Sequence, residues 1–143
     1  MHEDTVALLG ACTAGSQLTV AAMDGLLPNI KDHHLRRKLS DCAEDHKLLR
    51  DRACQLLQVY GGAEKTPGFF EKSALWLKTN AHLAMGADDT TMARLAADHC
   101  DTAIRALSKS QNRCCMAQPE ALDLTMEIIR CRETLSASLR PFL

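Results

Sequence analysis

The chain has 143 residues, enough for one domain with its own core, and we expect residues 1–143 to form a single helical domain. A net charge of −1, with six histidines counted as neutral, gives no electrostatic footprint for nucleic acid or an acidic membrane surface. Aromatic residues make up 3% of the chain, so the core must be built from Leu, Ala, Met and Cys, which favours close-packed helices.

The N-terminus gives no targeting signal. It begins Met1-His2-Glu3-Asp4 and lacks the basic start of a signal peptide. No uninterrupted apolar run reaches the roughly 18 residues of a membrane span. We therefore expect a cytoplasmic protein with neither a membrane nor a nucleic acid as its partner.

Five helical segments follow in chain order, at about residues 4–27, 32–60, 67–85, 89–112 and 119–140. Asp32 is the predicted N-cap of the second helix, and Gly61-Gly62 predicts its end. Asp88 or Asp89 caps the fourth helix, and Pro119 opens the fifth. Short connections make successive helices antiparallel neighbours. The predicted fold is all-α: an up-down-up-down four-helix bundle with an additional C-terminal helix packed at its side or used for association.

Two histidines occupy matching places in the second and fourth predicted helices. Asp45-His46 is followed by Arg52-Ala53, and the same four residue types recur 53 positions later around His99. His46 and His99 also lie on the apolar seams of their helices. Helical bundles build metal and cofactor sites from facing helices in this way. We therefore expect the two imidazoles to approach each other across the core.

Short motifs along most of the chain carry a resemblance to a known family. They are Lys31-Asp32-x-x-Leu35, Ala43-Glu44-Asp45-His46, Tyr60-Gly61-Gly62, Trp76 ten residues before Gly86-Ala87-Asp88-Asp89, and Arg130-x-x-x-Thr134-Leu135. Over roughly residues 20 to 140 the chain resembles bacterial ferritin-like four-helix-bundle proteins of stress-related or unknown function. The resemblance implies a bundle whose centre holds two metal ions, with Glu from two helices and Glu-x-x-His from the other two.

The chain departs from that ligand pattern at both histidines. Three residues before His46 and His99, where the family pattern has Glu, stand Ala43 and Ala96. Iron and manganese centres need several oxygen ligands to offset the charge of the cations. A di-iron oxidase is therefore not expected.

Three interpretations of the histidine pair stay open. In the first, His46 and His99 are neutral core residues, hydrogen-bonded to each other, to Thr19 or Thr102, or to backbone. The protein is then a non-enzymatic, degenerate ferritin-like bundle without a cofactor, acting as a structural or interaction module. In the second, it binds iron, zinc or copper, or handles oxidants, at a thiol–imidazole site. In the third, the pair ligates haem. The candidate metal ligands are His46, His99, Cys42, Glu44 and Asp98.

At the level of the histidines we expect the first and third helices to present small or neutral residues, which cannot balance two divalent cations. The candidates are Ser16, Gln17, Thr19, Ala21, Asn80 and Ala81.

Seven cysteines without a Cys-x-x-Cys motif indicate neither a disulfide framework nor a zinc ribbon. Buried free cysteines behave as small hydrophobic residues. Cys114-Cys115 lies in a polar linker, so we expect both thiols to be exposed, and the sequence assigns them no role.

The C-terminus predicts association. The fifth helix is amphipathic and is followed by an apolar tail containing Leu139, Pro141, Phe142 and Leu143. A monomer would leave this tail poorly covered. We therefore expect a homo-oligomer with the fifth helix and the tail in its interface.

Overall fold

The computed structural model of the protein describes residues 2–62 and 86–143. Within these ranges every regular element is helical, which confirms the all-α prediction. The predicted helix at about 67–85 lies outside the described residues. The elements are α1 (His2–Leu26), α2 (His33–Val59), α3 (Asp89–Arg113) and α4 (Pro119–Ser138), with 3-10 turns at Leu27–Asn29 and Arg140–Phe142.

The helix ends follow the predicted capping residues. The Asp32 side chain accepts a hydrogen bond from the backbone N–H of Leu35 at 3.0 Å, which caps α2. Asp88 caps α3 in the same way. Pro119 occupies the first turn of α4, where its missing N–H is not needed. Gly61 has φ of +75°, the left-handed conformation that commonly follows the end of a helix.

Contacts at the two ends of the helices fix their directions. The carboxylate of Asp89 accepts hydrogen bonds from the backbone N–H groups of Lys31 and Asp32 at 2.9 and 2.8 Å, so α3 begins beside the α1–α2 connection. At the opposite end, the backbone N–H of Gln118 donates to the Thr5 hydroxyl at 2.9 Å. Consequently α1 and α4 run in one direction, and α2 and α3 run in the other.

The C-terminal helix belongs to the core of this arrangement. The sequence predicts a helix packed at the side of a bundle or used for association; in the structure, α4 packs against α1, α2 and α3. Its buried face includes Leu124, Ile128 and Leu135. The apolar tail is also partly covered within one chain, because Leu139 is fully buried and Phe142 packs against the same core. Pro141 and Leu143 are the exposed apolar residues of this tail.

Buried polar residues divide the core. The upper apolar cluster, with Met23, Leu39 and Met92, lies toward the α1–α2 connection. The lower apolar cluster, with Leu8 and Leu57, lies toward the α3–α4 connection. On α1, α2 and α4 the buried polar residues lie between the positions of the two clusters. On α3, His99 lies at the border of the upper cluster. We call this set the polar layer; it consists of Ser16, Thr19, His46, His99 and Arg132.

One described segment has the composition of a membrane span. His2–Asn29 is long and apolar enough to cross a membrane by length and mean hydropathy, although polar residues interrupt it. Half of the apolar window is buried inside the structure. Length and composition therefore do not place this helix in a membrane.

Candidate functional site

The polar layer brings one buried polar group or more from each of the four described helices to one level of the core. Of the side chains in this layer, His46 is 0% exposed, His99 6% and Arg132 1%. Ser16 and Thr19 on α1 are fully buried beside them. The two predicted histidines therefore lie inside the same core, as their seam positions predict.

The tautomer of His46 follows from its backbone contact. Nδ1 lies 2.9 Å from the carbonyl oxygen of Cys42, one turn earlier on α2. A carbonyl can only accept a hydrogen bond, so Nδ1 carries the hydrogen and Nε2 carries a lone pair. That Nε2 atom is buried and has no hydrogen-bond partner in the structure.

His99 is held by the predicted threonine. Its Nε2 atom lies 3.0 Å from Oγ1 of Thr19. The Thr19 hydroxyl donates to the backbone carbonyl of Gly15 at 3.1 Å, so the imidazole N–H is the donor to Thr19. The other predicted partner, Thr102, is exposed on α3.

Both imidazoles are neutral at pH 7. Burial, together with the positive charge of Arg132, lowers the pKa of His46 and of His99 to about 4. A neutral pair held by hydrogen bonds is the first of the three interpretations drawn from the sequence.

Arg132 is the residue of this layer that sequence reasoning missed. One guanidinium nitrogen, Nη1, donates to the carbonyl of Ala103 on α3 at 3.3 Å. The other two, Nε and Nη2, are buried without a hydrogen-bond partner. No ion pair between Arg132 and a carboxylate occurs in the described ranges. The layer therefore contains a buried positive charge that is hydrogen-bonded through only one of its three nitrogens.

Thiols surround the guanidinium without neutralising it. Burial raises the pKa of Cys12 to about 11 and that of Cys100 to about 12. The pKa values of Cys42 and Cys131 are also raised, mainly by burial, although the charge of Arg132 acts in the opposite direction. All four side chains are therefore thiols at neutral pH, and none supplies a negative charge.

The predicted metal ligands are only partly brought together. Two sulfur atoms lie near Nδ1 of His46, Sγ of Cys42 at 3.4 Å and Sγ of Cys131 at 3.8 Å. Glu44 and Asp98 are exposed and do not reach the polar layer. Among residues 2–62 and 86–143, no group of three or more His, Cys, Asp or Glu side chains is arranged to hold a metal ion.

The neighbours predicted for the histidines are found in part. Ser16 and Thr19 belong to the polar layer, whereas Gln17 and Ala21 are only half-buried. Asn80 and Ala81, predicted for the third helix, lie outside the described residues.

The Cys114-Cys115 pair differs from its prediction. Cys115 is exposed, but Cys114 is buried and belongs to the lower apolar cluster. The linker is less open than its polar composition indicates because it is tied to the start of α1. The backbone N–H of Met116 donates to Asp4 at 3.1 Å, which draws the linker onto α1.

Comparisons of the chain with protein-family models, with curated proteins and with solved structures gave no match. The ferritin-like resemblance therefore stays a prediction. The interpretation of the polar layer depends on its own chemistry: one fixed cation, two neutral imidazoles and two hydroxyl groups, enclosed by apolar side chains and thiols.

Proposed function

We propose that the protein is a non-enzymatic, degenerate ferritin-like bundle that serves as a structural or interaction module without a bound metal. The observation that supports this function is that Arg132 is a buried cation in the same layer as His46 and His99. A ferritin-like di-metal centre needs carboxylates at this level. Here the Glu-x-x-His positions are the buried alanines Ala43 and Ala96.

Charge is the physical argument for this proposal. A divalent cation entering the core loses its hydration and needs anionic ligands in exchange. An arginine side chain remains protonated in proteins, so its charge cannot be withdrawn to admit a metal ion. Its repulsion toward a cation is strengthened by the low dielectric constant of the core. Iron bound between His46 and His99 would face this repulsion with no carboxylate from Glu44 or Asp98 to offset it.

Metal titration tests the proposal. Iron, zinc and copper salts are added to metal-free protein, and the melting temperature is compared with that of the double variant His46→Ala/His99→Ala. We expect each metal to produce the same shift in both proteins. A metal that stabilises the wild type by several degrees and leaves the double variant unchanged would contradict the proposal. His33→Ala/His34→Ala, at the exposed start of α2, is the matched control.

The alternative function is metal binding or oxidant handling at His46. It is favoured by the two sulfur atoms of Cys42 and Cys131 within 3.4 and 3.8 Å of Nδ1. This set suits zinc or copper better than iron, because thiolate and imidazole are softer ligands. Two features oppose it: Nδ1 carries the hydrogen that it donates to the Cys42 carbonyl, and the raised thiol pKa values disfavour the thiolate, which is the metal-binding form. Zinc stabilisation abolished by Cys42→Ser and by Cys131→Ser, but not by Cys115→Ser, would establish this alternative.

Association through the C-terminus is part of the proposal. Leu143 at the end of the tail is 59% exposed, and it follows directly on Phe142, which packs against the core. We expect the chain to form a homo-oligomer with α4 and the tail in the interface. Light scattering at micromolar concentration should give at least twice the mass of 15.7 kDa, and Leu143→Ser should weaken the association. The monomer mass would contradict it.

A further inference from the structure

We propose that the polar layer is a binding site for a small oxyanion, such as formate or hydrogencarbonate, held by the guanidinium of Arg132. This inference deepens the proposed function, since it gives the same layer of the module a ligand class. It rests on three observations. One edge of the guanidinium, formed by Nε and Nη2, has no hydrogen-bond partner. No carboxylate among the described residues balances its charge, and the layer is enclosed.

The unused edge of Arg132 has the shape that recognises an oxyanion. Nε–H and one hydrogen of Nη2 point in the same direction, and their spacing matches the two oxygens of a carboxylate. These are the two nitrogens that lack partners, while Nη1 is taken up by Ala103. A single planar anion can therefore accept both hydrogen bonds at once.

Neighbouring groups add to this edge. The missing side chain at Gly15 of α1 gives Nη2 its room, because an added Cβ atom would lie only 3.1 Å from it. The next residue, Ser16, has a buried hydroxyl oxygen without a hydrogen-bond partner, which can donate to an anion. Nε2 of His46 is an unused acceptor in the same layer, so a ligand or a water molecule that carries a hydrogen satisfies it as well.

The charge of the layer selects an anion. A buried cation without a counter-charge is strongly unfavourable, and so is each buried donor left unpaired. The thiols nearest to Arg132 are protonated, and among residues 2–62 and 86–143 Arg132 forms no ion pair with an Asp or Glu. An anion from solution therefore removes both costs together, which a neutral ligand cannot do.

Enclosure limits the ligand to a small one. Arg132, His46 and Ser16 are each at most 1% exposed, and the two apolar clusters cover the layer from above and below. A side chain from another protein cannot reach it without opening the bundle. A small free ion can enter during local opening of the helices.

The experiment measures melting temperature in Tris–chloride buffer at constant ionic strength, with chloride replaced stepwise by formate or by hydrogencarbonate. We expect at least one of these anions to raise the melting temperature by about 5–10 °C at a hundredfold excess over its Kd. The shift should be lost in Arg132→Met and reduced in Ser16→Ala. It should be retained in Arg130→Met, which removes an exposed arginine from the same helix. Equal melting temperatures in all three anions, or an equal shift in Arg132→Met, would overturn the proposal.

A second measurement keeps the test decisive if Arg132→Met does not fold. In the ¹⁵N spectrum of the wild-type protein, the Arg132 Nε–H signal should move and saturate on addition of formate or hydrogencarbonate. A signal that both anions leave unmoved refutes the site. Metal content is measured separately, so this result leaves the proposed function standing. Conversely, a metal bound between His46 and His99 removes that function whether or not either anion binds.

Discussion

Arg132 lies four residues after Ile128 and three before Leu135, which places it on the buried face of α4. The sequence contains this signal, because a charged residue at that spacing interrupts an otherwise apolar stripe. Cys131, three residues after Ile128 and four before Leu135, has the same periodicity, and the sequence favours it for the seam because a cysteine fits a core more readily than an arginine. In the structure Cys131 is half-buried and Arg132 is buried. The guanidinium gives the layer a positive charge of its own, which disfavours the binding of a cation there.

The histidines make stability depend on pH. Their folded pKa values are about 4, below the ordinary value of 6.5, so between these limits the unfolded chain binds protons that the folded chain does not. The free energy of unfolding should therefore fall as the pH is lowered from 6.5 to about 4, by up to about 3 kcal/mol for each histidine. Above pH 6.5 both states are neutral and this contribution is constant.

Urea denaturation at several pH values checks this dependence. His46→Gln/His99→Gln should have a flatter profile between pH 4 and 6.5, because its polar layer contains no imidazole. His33→Gln, at the exposed start of α2, should keep the wild-type slope. Parallel profiles for the wild type and the double variant would mean that the two imidazoles are protonated in the folded core.

Two glycines of α1 give a matched test of packing against Arg132. A Cβ atom at Gly10 would meet nothing within 4 Å, whereas one at Gly15 would lie 3.1 Å from Nη2 of Arg132. Gly10→Ala should raise the free energy of unfolding by about 0.5–1 kcal/mol through helix propensity. Gly15→Ala should gain at least about 1 kcal/mol less, because the enclosed guanidinium cannot move aside freely. Equal gains in thermal or urea denaturation would show that Arg132 does not pack against Gly15.

At the level of elements, the sequence predicts the helix ends well and their partners less well. Asp32 and Pro119 act over one turn, so their effects can be derived from neighbours in the chain. The position of α4 depends on contacts among four helices, which local periodicity does not specify. An amphipathic stripe such as Leu124, Ile128 and Leu135 predicts that a helix face is covered but not which helices cover it.

Asp89 connects α3 to the α1–α2 connection, and its removal should loosen that end of the molecule. Its carboxylate accepts two backbone hydrogen bonds, from Lys31 and Asp32. Asp89→Ala should lower the free energy of unfolding by about 1–3 kcal/mol, because both N–H groups lose a charged acceptor. Asp41→Ala, at an exposed position within α2, should change it by less than about 0.5 kcal/mol. Chemical denaturation that gives equal effects for the two variants would rule out this role of Asp89.

At the level of the whole molecule, two apolar clusters are separated by a layer that is polar, enclosed and positively charged. The sequence predicts the burial of His46 and His99 from their seam positions. It does not predict the charge of the layer, because that depends on which residue of α4 reaches the same level. The layer is therefore a property of the tertiary packing, although each of its members lies on a predicted helix.

Metal content tests the central claim most directly. The protein is produced in medium supplemented with iron and zinc, purified without chelators and analysed for both elements, beside His46→Ala/His99→Ala. Because Arg132 places a fixed positive charge in the core, we predict less than about 0.1 metal ion per chain, the same in both proteins. One or two metal ions per wild-type chain that the double variant lacks would contradict the account.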